Sequence, residues 1–241
     1  MKRFLLLIAF FGTIFVNAQH FEGTITYQIS YPTIQDKAAL ADKPTEMTLY
    51  IKGNKVRSDI KYQMYSTDPK IPPTPVSQSK IVDLSAKSYF QLLSVGKDYN
   101  FLIETSTKQI EDKILKKQTP NISFQDSTRM VSGYLCKIGI LTVNALNVMT
   151  GNYDLVFPLV FYYTEALGNK NFYIDEDFNN IKGLMLEYTI FANQIPIKFT
   201  TIKIKKKKLK DSQFERPLEG YRKNVDSEQY IIEGLLNGKI Q

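Results

Sequence analysis

The chain has 241 residues, is 43% hydrophobic and carries a formal net charge of +7. This apolar content is ample for a core, and the length corresponds to one large domain or two small ones. One cysteine and one histidine exclude an internal disulfide and a metal cluster built from these two residue types.

The start of the chain has the three-part layout of a secretory signal. Lys2 and Arg3 give a positive start, residues 4–16 are almost continuously apolar, and residues 16–18 are of modest or small size. The apolar run is shorter than the roughly 20 residues of a membrane span. We therefore predict a signal peptide over residues 1–18, which is cleaved to leave a periplasmic protein. An uncleaved anchor is the alternative, and a lipoprotein is not expected because no cysteine follows the apolar run.

Most of the remaining chain has the composition and alternation of antiparallel β-structure. Phe and Tyr number 15 each, and both residue types favour pleated, half-buried surfaces. Strands are predicted at residues 21–31, 47–51, 55–60, 80–83, 88–93, 98–104, 130–143, 153–164, 183–191 and 195–205. With no internal repeat and no linker, this order predicts one meandering sheet that curls.

Turn residues and prolines refine this prediction. Hairpins are expected around Gly53-Asn54, residues 84–87 and residues 192–194. Residues 66–78 contain four prolines and should not form a central strand, and Pro158 indicates a bulge or an edge position.

Two further departures from simple alternation stand out. The apolar phase slips by one residue near Thr200-Thr201, which predicts a β-bulge there. Residues 107–117 have helical spacing, with Ile110 and Ile114 four apart, and favour a surface helix over a partner-binding one. A short amphipathic helix is predicted at residues 227–236.

Three stretches carry a family resemblance. They are residues 80–89 with Asp83, Lys87 and Tyr89; residues 131–137 with Gly133, Tyr134 and Cys136; and residues 183–190, followed by residues 211–217 and Gly220-Tyr221. In this order and spacing they resemble secreted bacterial proteins of a domain-of-unknown-function family. That family is similar to the GLPGLI proteins and to outer-membrane lipoprotein carriers of the LolA and LolB type.

The resemblance implies an all-β fold with minor α content. It would be a single antiparallel, strongly curved sheet forming an unclosed barrel, with one or two helices over its concave side. The half-barrel domain would cover residues 19–224, and residues 225–241 would be a C-terminal amphipathic tail that matches nothing in the family. In the carriers the hollow takes acyl chains, although their cavity arginine has no clear counterpart in this chain.

A periplasmic binding protein for a lipid, an acyl chain or another hydrophobic ligand is therefore the first functional hypothesis. Its ligand or partner could be the acyl chain of a lipoprotein, and the helix at residues 107–117 could act as a lid. The predicted lining of the hollow comprises Tyr27, Ile29, Leu49, Phe90, Leu92, Phe101, Tyr134, Phe161, Tyr163, Leu186 and Tyr188. The alternative is a non-enzymatic accessory or structural subunit of a cell-envelope protein complex, in which the sheet is ordinary core.

A run of basic residues is the sharpest charge feature. It comprises Lys205, Lys206, Lys207 and Lys208. Such a run could touch a membrane surface or a protein partner, or it could block pairing at a strand end. Nucleic acid is not expected, because no aromatic residues are interleaved with the lysines.

No catalytic constellation is recognised, so we predict that the protein is not an enzyme and has no cofactor. Cys136 reads as a small buried apolar residue, and Ser132-Gly133 lacks the flanks of a nucleophile elbow. Asp175, Asp177 and Asn179 have the spacing of a calcium loop. The turn glycine and closing glutamate of such a loop are missing, which favours a solvated acidic loop and no metal.

Overall fold

The computed structural model describes residues 21–224 apart from 67, 69, 84, 87, 105–120, 148, 169–180, 193 and 194. These residues form one mostly antiparallel sheet that is not closed into a barrel. Its strands are β1 (Gly23–Ser30), β2 (Glu46–Lys52), β3 (Lys55–Met64), β4 (Thr74–Asp83), β5 (Ser88–Val95), β6 (Tyr99–Glu104), β7 (Asn121–Val131), β8 (Tyr134–Asn147), β9 (Asn152–Thr164), β10 (Leu184–Ala192), β11 (Ile195–Lys206) and β12 (Arg222–Asn224). Their spatial order is β12-β6-β5-β4-β3-β2-β1-β11-β10-β9-β8-β7, and β12 is parallel to β6.

The hairpins predicted from turn chemistry are confirmed. Gly53 has a φ of 56°, which lets Lys52 and Lys55 face each other across a two-residue turn between β2 and β3. Strands β4 and β5 form the second hairpin, and β10 and β11 form the third. The alternation of β1 is also confirmed, since its apolar residues from Ile25 to Ile29 are buried.

Both irregularities predicted in the later strands are confirmed. In β11, Thr201 lies opposite Tyr27 and Lys203 lies opposite Thr26, so Ile202 is the extra residue of a β-bulge. In β9, the ladder to β10 stops at Tyr162. Pro158 therefore pairs on the β8 side alone among the described residues, and its missing N–H costs no ladder bond on the other side.

Two strand predictions are wrong. Residues 66–78 were predicted not to form a central strand, but residues 74–78 belong to β4. Pro75 is the second residue of this strand, where the missing backbone N–H is tolerated. Residues 130–143 are not one strand, because Ser132 and Gly133 have φ angles of 48° and 83° and turn the chain between β7 and β8. The Ser-Gly pair was the signal for this turn.

The expectation of one or two helices over the sheet is not supported by the described residues. Their helices are short 3-10 turns at Ala38–Leu40, Glu165–Leu167 and Asp211–Gln213. The predicted helices at residues 107–117 and 227–236 lie outside the described residues, as does the whole acidic loop with Asp175, Asp177 and Asn179.

Hydrophobic residues pack on both faces of the sheet. The main cluster joins β1, β2, β10 and β11 to β8 and β9. We call the face that carries Tyr27, Met47 and Tyr188 the inner face; pairing in register places these side chains on the same side. On the outer face, Leu209 and Phe214 pack on strands β4 to β6. Residues 207–221 thus form a strap across the outer face.

Candidate ligand-binding hollow

The inner face contains a half-open hollow of about 300 Å³. Its lining comprises Ile29, Tyr31, Pro44, Met47, Ser58, Ile60, Gln78, Lys80, Tyr188, Ile190, Ala192, Ile197 and Phe199. These residues come from six strands that are consecutive in the sheet, from β4 to β10, and from the connection after β1. Six flat strands would span about 24 Å at the usual spacing of about 4.8 Å. The sheet therefore curves around the hollow.

Stacked aromatic rings support the apolar wall of the hollow. The rings of Tyr188 and Phe199 stack with centroids 4.8 Å apart and an interplanar angle of 6°. Tyr27 meets Tyr188 edge-on at 5.8 Å, and its hydroxyl donates a hydrogen bond of 2.7 Å to the Met185 carbonyl. Because the buried Tyr27 hydroxyl is hydrogen-bonded, the cost of removing it from water is offset.

The opposite wall, formed by β3 and β4, is polar. Ser58 pairs with Lys80 and Ile60 pairs with Gln78, so all four side chains lie on the inner face. The hollow is therefore amphipathic, with apolar side chains on β10 and β11 and a cation on β4.

Tyr31 and Pro44 form part of the rim. The Tyr31 hydroxyl donates a 3.0 Å hydrogen bond to the Pro44 carbonyl. Burial first, and then the charges of Asp42 and Tyr62, raise the pKa of Tyr31 to about 12. The phenol therefore stays protonated at neutral pH and keeps donating to this connection.

The predicted lining residues are distributed over several parts of the sheet. Ile29 and Tyr188 line the hollow, and Tyr27 supports it from below. Five others belong to the main core or pack against it: Leu49, Tyr134, Phe161, Tyr163 and Leu186. Phe101 belongs to a separate cluster, and Phe90 and Leu92 pack on the outer face beneath the strap.

Sequence reasoning missed the polar wall. Lys80 and Gln78 are in phase with the buried Val76 and Val82 of the same strand, an arrangement that was visible in the alternation. Lys80, a charged residue in phase with buried valines, was the signal that could have predicted this wall. The counterpart on β3, Ser58, is in phase with Val56 and Ile60.

A second depression of about 470 Å³ lies where β3 ends, β4 begins and β5 ends. Consecutive residues such as Lys61, Tyr62 and Gln63 all border it, although successive side chains point to opposite faces. It therefore straddles strand ends and is not a hollow within one face.

Cys136 is buried and its thiol lies 3.6 Å from the Tyr134 carbonyl. Burial raises the pKa of the thiol to about 11, so the thiolate that acts as a nucleophile is scarce at neutral pH. This environment suits a packing residue.

The four lysines of the basic run are exposed at the end of β11 and just beyond it. Lys205 and Lys206 pair with β1, whereas the ladder to β10 ends at Thr200. Lys207 donates its backbone N–H to the Glu22 carbonyl, and its ammonium lies 6.0 Å from the Tyr50 ring centroid. The side chains remain accessible to an anionic surface.

Within the described residues, no group of three or more His, Cys, Asp or Glu side chains could hold a metal ion. In the same part of the chain, no helix has the length and apolar character needed to cross a membrane.

No known family and no curated protein matches the chain. Among solved structures, it is similar to PNGF-II in two crystal forms, with TM-scores of 0.48 and 0.47 and identities of 16% and 14%. These matches cover 88% and 87% of this chain but 33% and 32% of PNGF-II, so the chain spans about a third of that protein.

The chain is also similar to a β-barrel-like protein of domain of unknown function DUF1849 from Brucella abortus. The TM-score is 0.29 and the identity is 8%, over 78% of this chain and 98% of the other. Likenesses at this level carry no argument about activity or ligand. Neither protein is described as a GLPGLI protein or a lipoprotein carrier, so that part of the resemblance stays a prediction.

Proposed function

We propose that the protein is an exported, non-enzymatic binding protein that holds a lipid, an acyl chain or another hydrophobic ligand. The observation that carries this proposal is the half-open hollow of about 300 Å³ on the inner face, with its apolar wall on β10 and β11. Its volume is at the lower end of the range of small-molecule pockets, roughly 300–1,000 Å³. Burial of each methylene there would contribute about 0.8 kcal/mol. The signal pattern at residues 1–18 supports a periplasmic location.

Filling the hollow should abolish most of this binding. Ile197 lines the hollow, and an Ile197→Trp variant would occupy the space of two or three methylenes. The expected loss is about 2 kcal/mol, or roughly 30-fold in affinity for the neutral apolar dye N-phenyl-1-naphthylamine. Dye fluorescence in a titration of the purified protein measures the effect.

The matched control is Ile202→Trp, on the same strand but at the exposed bulge position. This variant should bind the dye as the unmodified protein does. Absence of dye uptake by the unmodified protein, or equal affinity of the two tryptophan variants, would contradict the proposal. Native mass spectrometry of the purified protein gives a second readout, since a bound acyl group adds a defined mass.

A role as an accessory subunit of a cell-envelope complex is the second candidate. Phe124, Met130, Leu135 and Val156, on strands β7 to β9, are each more than half exposed. Met130 and Leu135 are directly opposite each other next to the β7–β8 turn. An apolar pair at this position would suit the buried centre of a protein interface.

A double variant, Met130→Ser with Leu135→Ser, should lose a stoichiometric partner that co-purifies with the unmodified protein from cell envelopes. Leu218→Ser, at a residue that is 97% exposed, should retain it. Co-purification that is the same for all three proteins would reject this interface.

A further inference from the structure

We propose that the ligand of the hollow is an anionic amphiphile, a medium-chain carboxylate whose head group pairs with Lys80 and whose chain lies on the apolar wall. This inference rests on the proposed function and narrows its ligand class. It follows from the charge, the donors and the size of the hollow.

Lys80 places a positive charge at the wall without a carboxylate beside it. Its partners in register are Ser58 on β3 and Gln91 on β5, and both are neutral. Its neighbours on the same face of β4 are Gln78 and Val82, which are neutral as well. No hydrogen bond or ion pair within the described part of the chain uses the Lys80 ammonium.

Some other lysines of the sheet are paired with carboxylates, whereas those of the basic run are exposed to solvent. Lys198, on the outer face, lies 2.8 Å from Glu187, and Lys52 lies 2.8 Å from Asp211. Lys80 as a residue is half-buried, and a bound anion would supply the opposite charge that its neighbours lack. The electrostatics of the hollow thus favour an anion over a neutral or cationic guest.

Ser58 adds a second donor at the same place. It is only 6% exposed, and it lies directly opposite Lys80. Side chains in such pairs have Cβ atoms about 4.5–5.5 Å apart, so an ammonium and a hydroxyl can both reach one carboxylate. No hydrogen bond among the described residues uses the Ser58 hydroxyl.

The size of the hollow sets the length of the guest. Water takes about 30 Å³ per molecule in the liquid, so about 300 Å³ corresponds to roughly ten heavy atoms. A carboxylate of eight to ten carbons fits this estimate. The hollow is half open, so a longer chain would extend into solvent at its mouth.

The test compares three probes of one chain length: decanoate, decanol and decyltrimethylammonium. Isothermal titration at pH 7.5, below the micellar concentrations of the two ionic probes and the solubility limit of decanol, should show decanoate binding at least about tenfold more tightly than decanol. The cationic probe should bind more weakly than decanol. Equal affinity for decanoate and decanol would overturn the inference while leaving the proposed function intact, whereas binding of none of the three would overturn both.

Variants of Lys80 make the assignment specific. Lys80→Met should remove the preference for decanoate over decanol, whereas Lys80→Arg should keep the preference for the anion. Lys203→Met, at an exposed lysine of β11 outside the hollow, is the matched control and should change neither affinity. A preference for decanoate that survives Lys80→Met would also overturn the inference. Because decanol binding reports the intact hollow, a misfolded variant is recognised directly.

Discussion

A Gly139→Val variant is expected to lose about 3 kcal/mol of stability, at the upper end of the cost of overpacking a core. A Cβ atom at Gly139 would overlap the end of the Phe161 ring, which packs on this glycine from the neighbouring strand. Phe161 is 1% exposed, and its ring lies 5.9 Å from that of Tyr163. Because Phe161 is buried in the main cluster, its ring can move aside only by displacing packed neighbours. Urea unfolding followed by circular dichroism measures the loss.

A double-mutant cycle tests whether the overlap with Phe161 is the cause. Phe161→Ala alone should cost about 3–5 kcal/mol because it leaves a cavity in the core. In the Gly139→Val background the same change should cost less, because the valine methyls occupy part of that cavity. Asn144→Val, at an exposed position of the same strand, is the control and should be nearly neutral. Additive losses in the cycle would show that another contact is responsible.

Phe214→Ala should detach the strap from the outer face at a cost of about 3–5 kcal/mol, the usual range for a buried phenylalanine. Phe214 is 4% exposed and belongs to the cluster of Ile81, Phe90 and Leu102. Hydrogen exchange should then accelerate in residues 207–224, including β12, before it accelerates in the main core. Global unfolding with uniform exchange would contradict a strap that opens as a unit.

Ion pairs and hydrogen bonds hold the strap as well, but they contribute less. Asp211 accepts from Lys52 at 2.8 Å and from Lys55 at 3.1 Å, and these bonds lower its pKa. The contribution of Asp211 is present at neutral pH and is lost as the pH falls through the lowered pKa. The carboxylate is exposed, so water screens the pairs and Phe214 dominates. Leu218→Ala, at a fully exposed strap position, is the control and should leave exchange unchanged.

Short-range sequence patterns predicted many of the strands and turns of the sheet. The Gly53-Asn54 turn, the alternation of β1 and the bulge in β11 all follow from constraints within a few residues. The Ser132-Gly133 turn was missed because the residues next to it, Met130-Val131 and Tyr134-Leu135, are apolar and were interpreted as one run. Pro75 was wrongly taken to exclude a central strand. Whether a proline lies inside a strand or at its start depends on where the neighbouring strand ends, and the local sequence does not show this.

The hollow could be anticipated only in part, because its walls come from strands far apart in sequence. Periodicity shows that Ile29 and Phe90 are each buried, but it does not show on which face of the final sheet. Phe90 lies beneath Phe214, more than 120 residues later in the chain, and nothing near Phe90 indicates that partner. Strand order decides such contacts, and strand order is a property of the whole chain.

The position of β1 has a consequence for biosynthesis. β1 lies between β2 and β11, and Glu22 just before it accepts a hydrogen bond from the backbone of Leu209, 187 residues later. Ribosomes add about 5–20 residues per second. The edge of β1 that pairs with β11 therefore stays unpaired for on the order of ten seconds or more during synthesis. Throughout that interval the nascent chain presents Ile25, Tyr27 and Ile29 beside unpaired backbone groups. An unpaired apolar strand edge is a site of aggregation, so we expect the nascent chain to benefit from a chaperone until translation has ended.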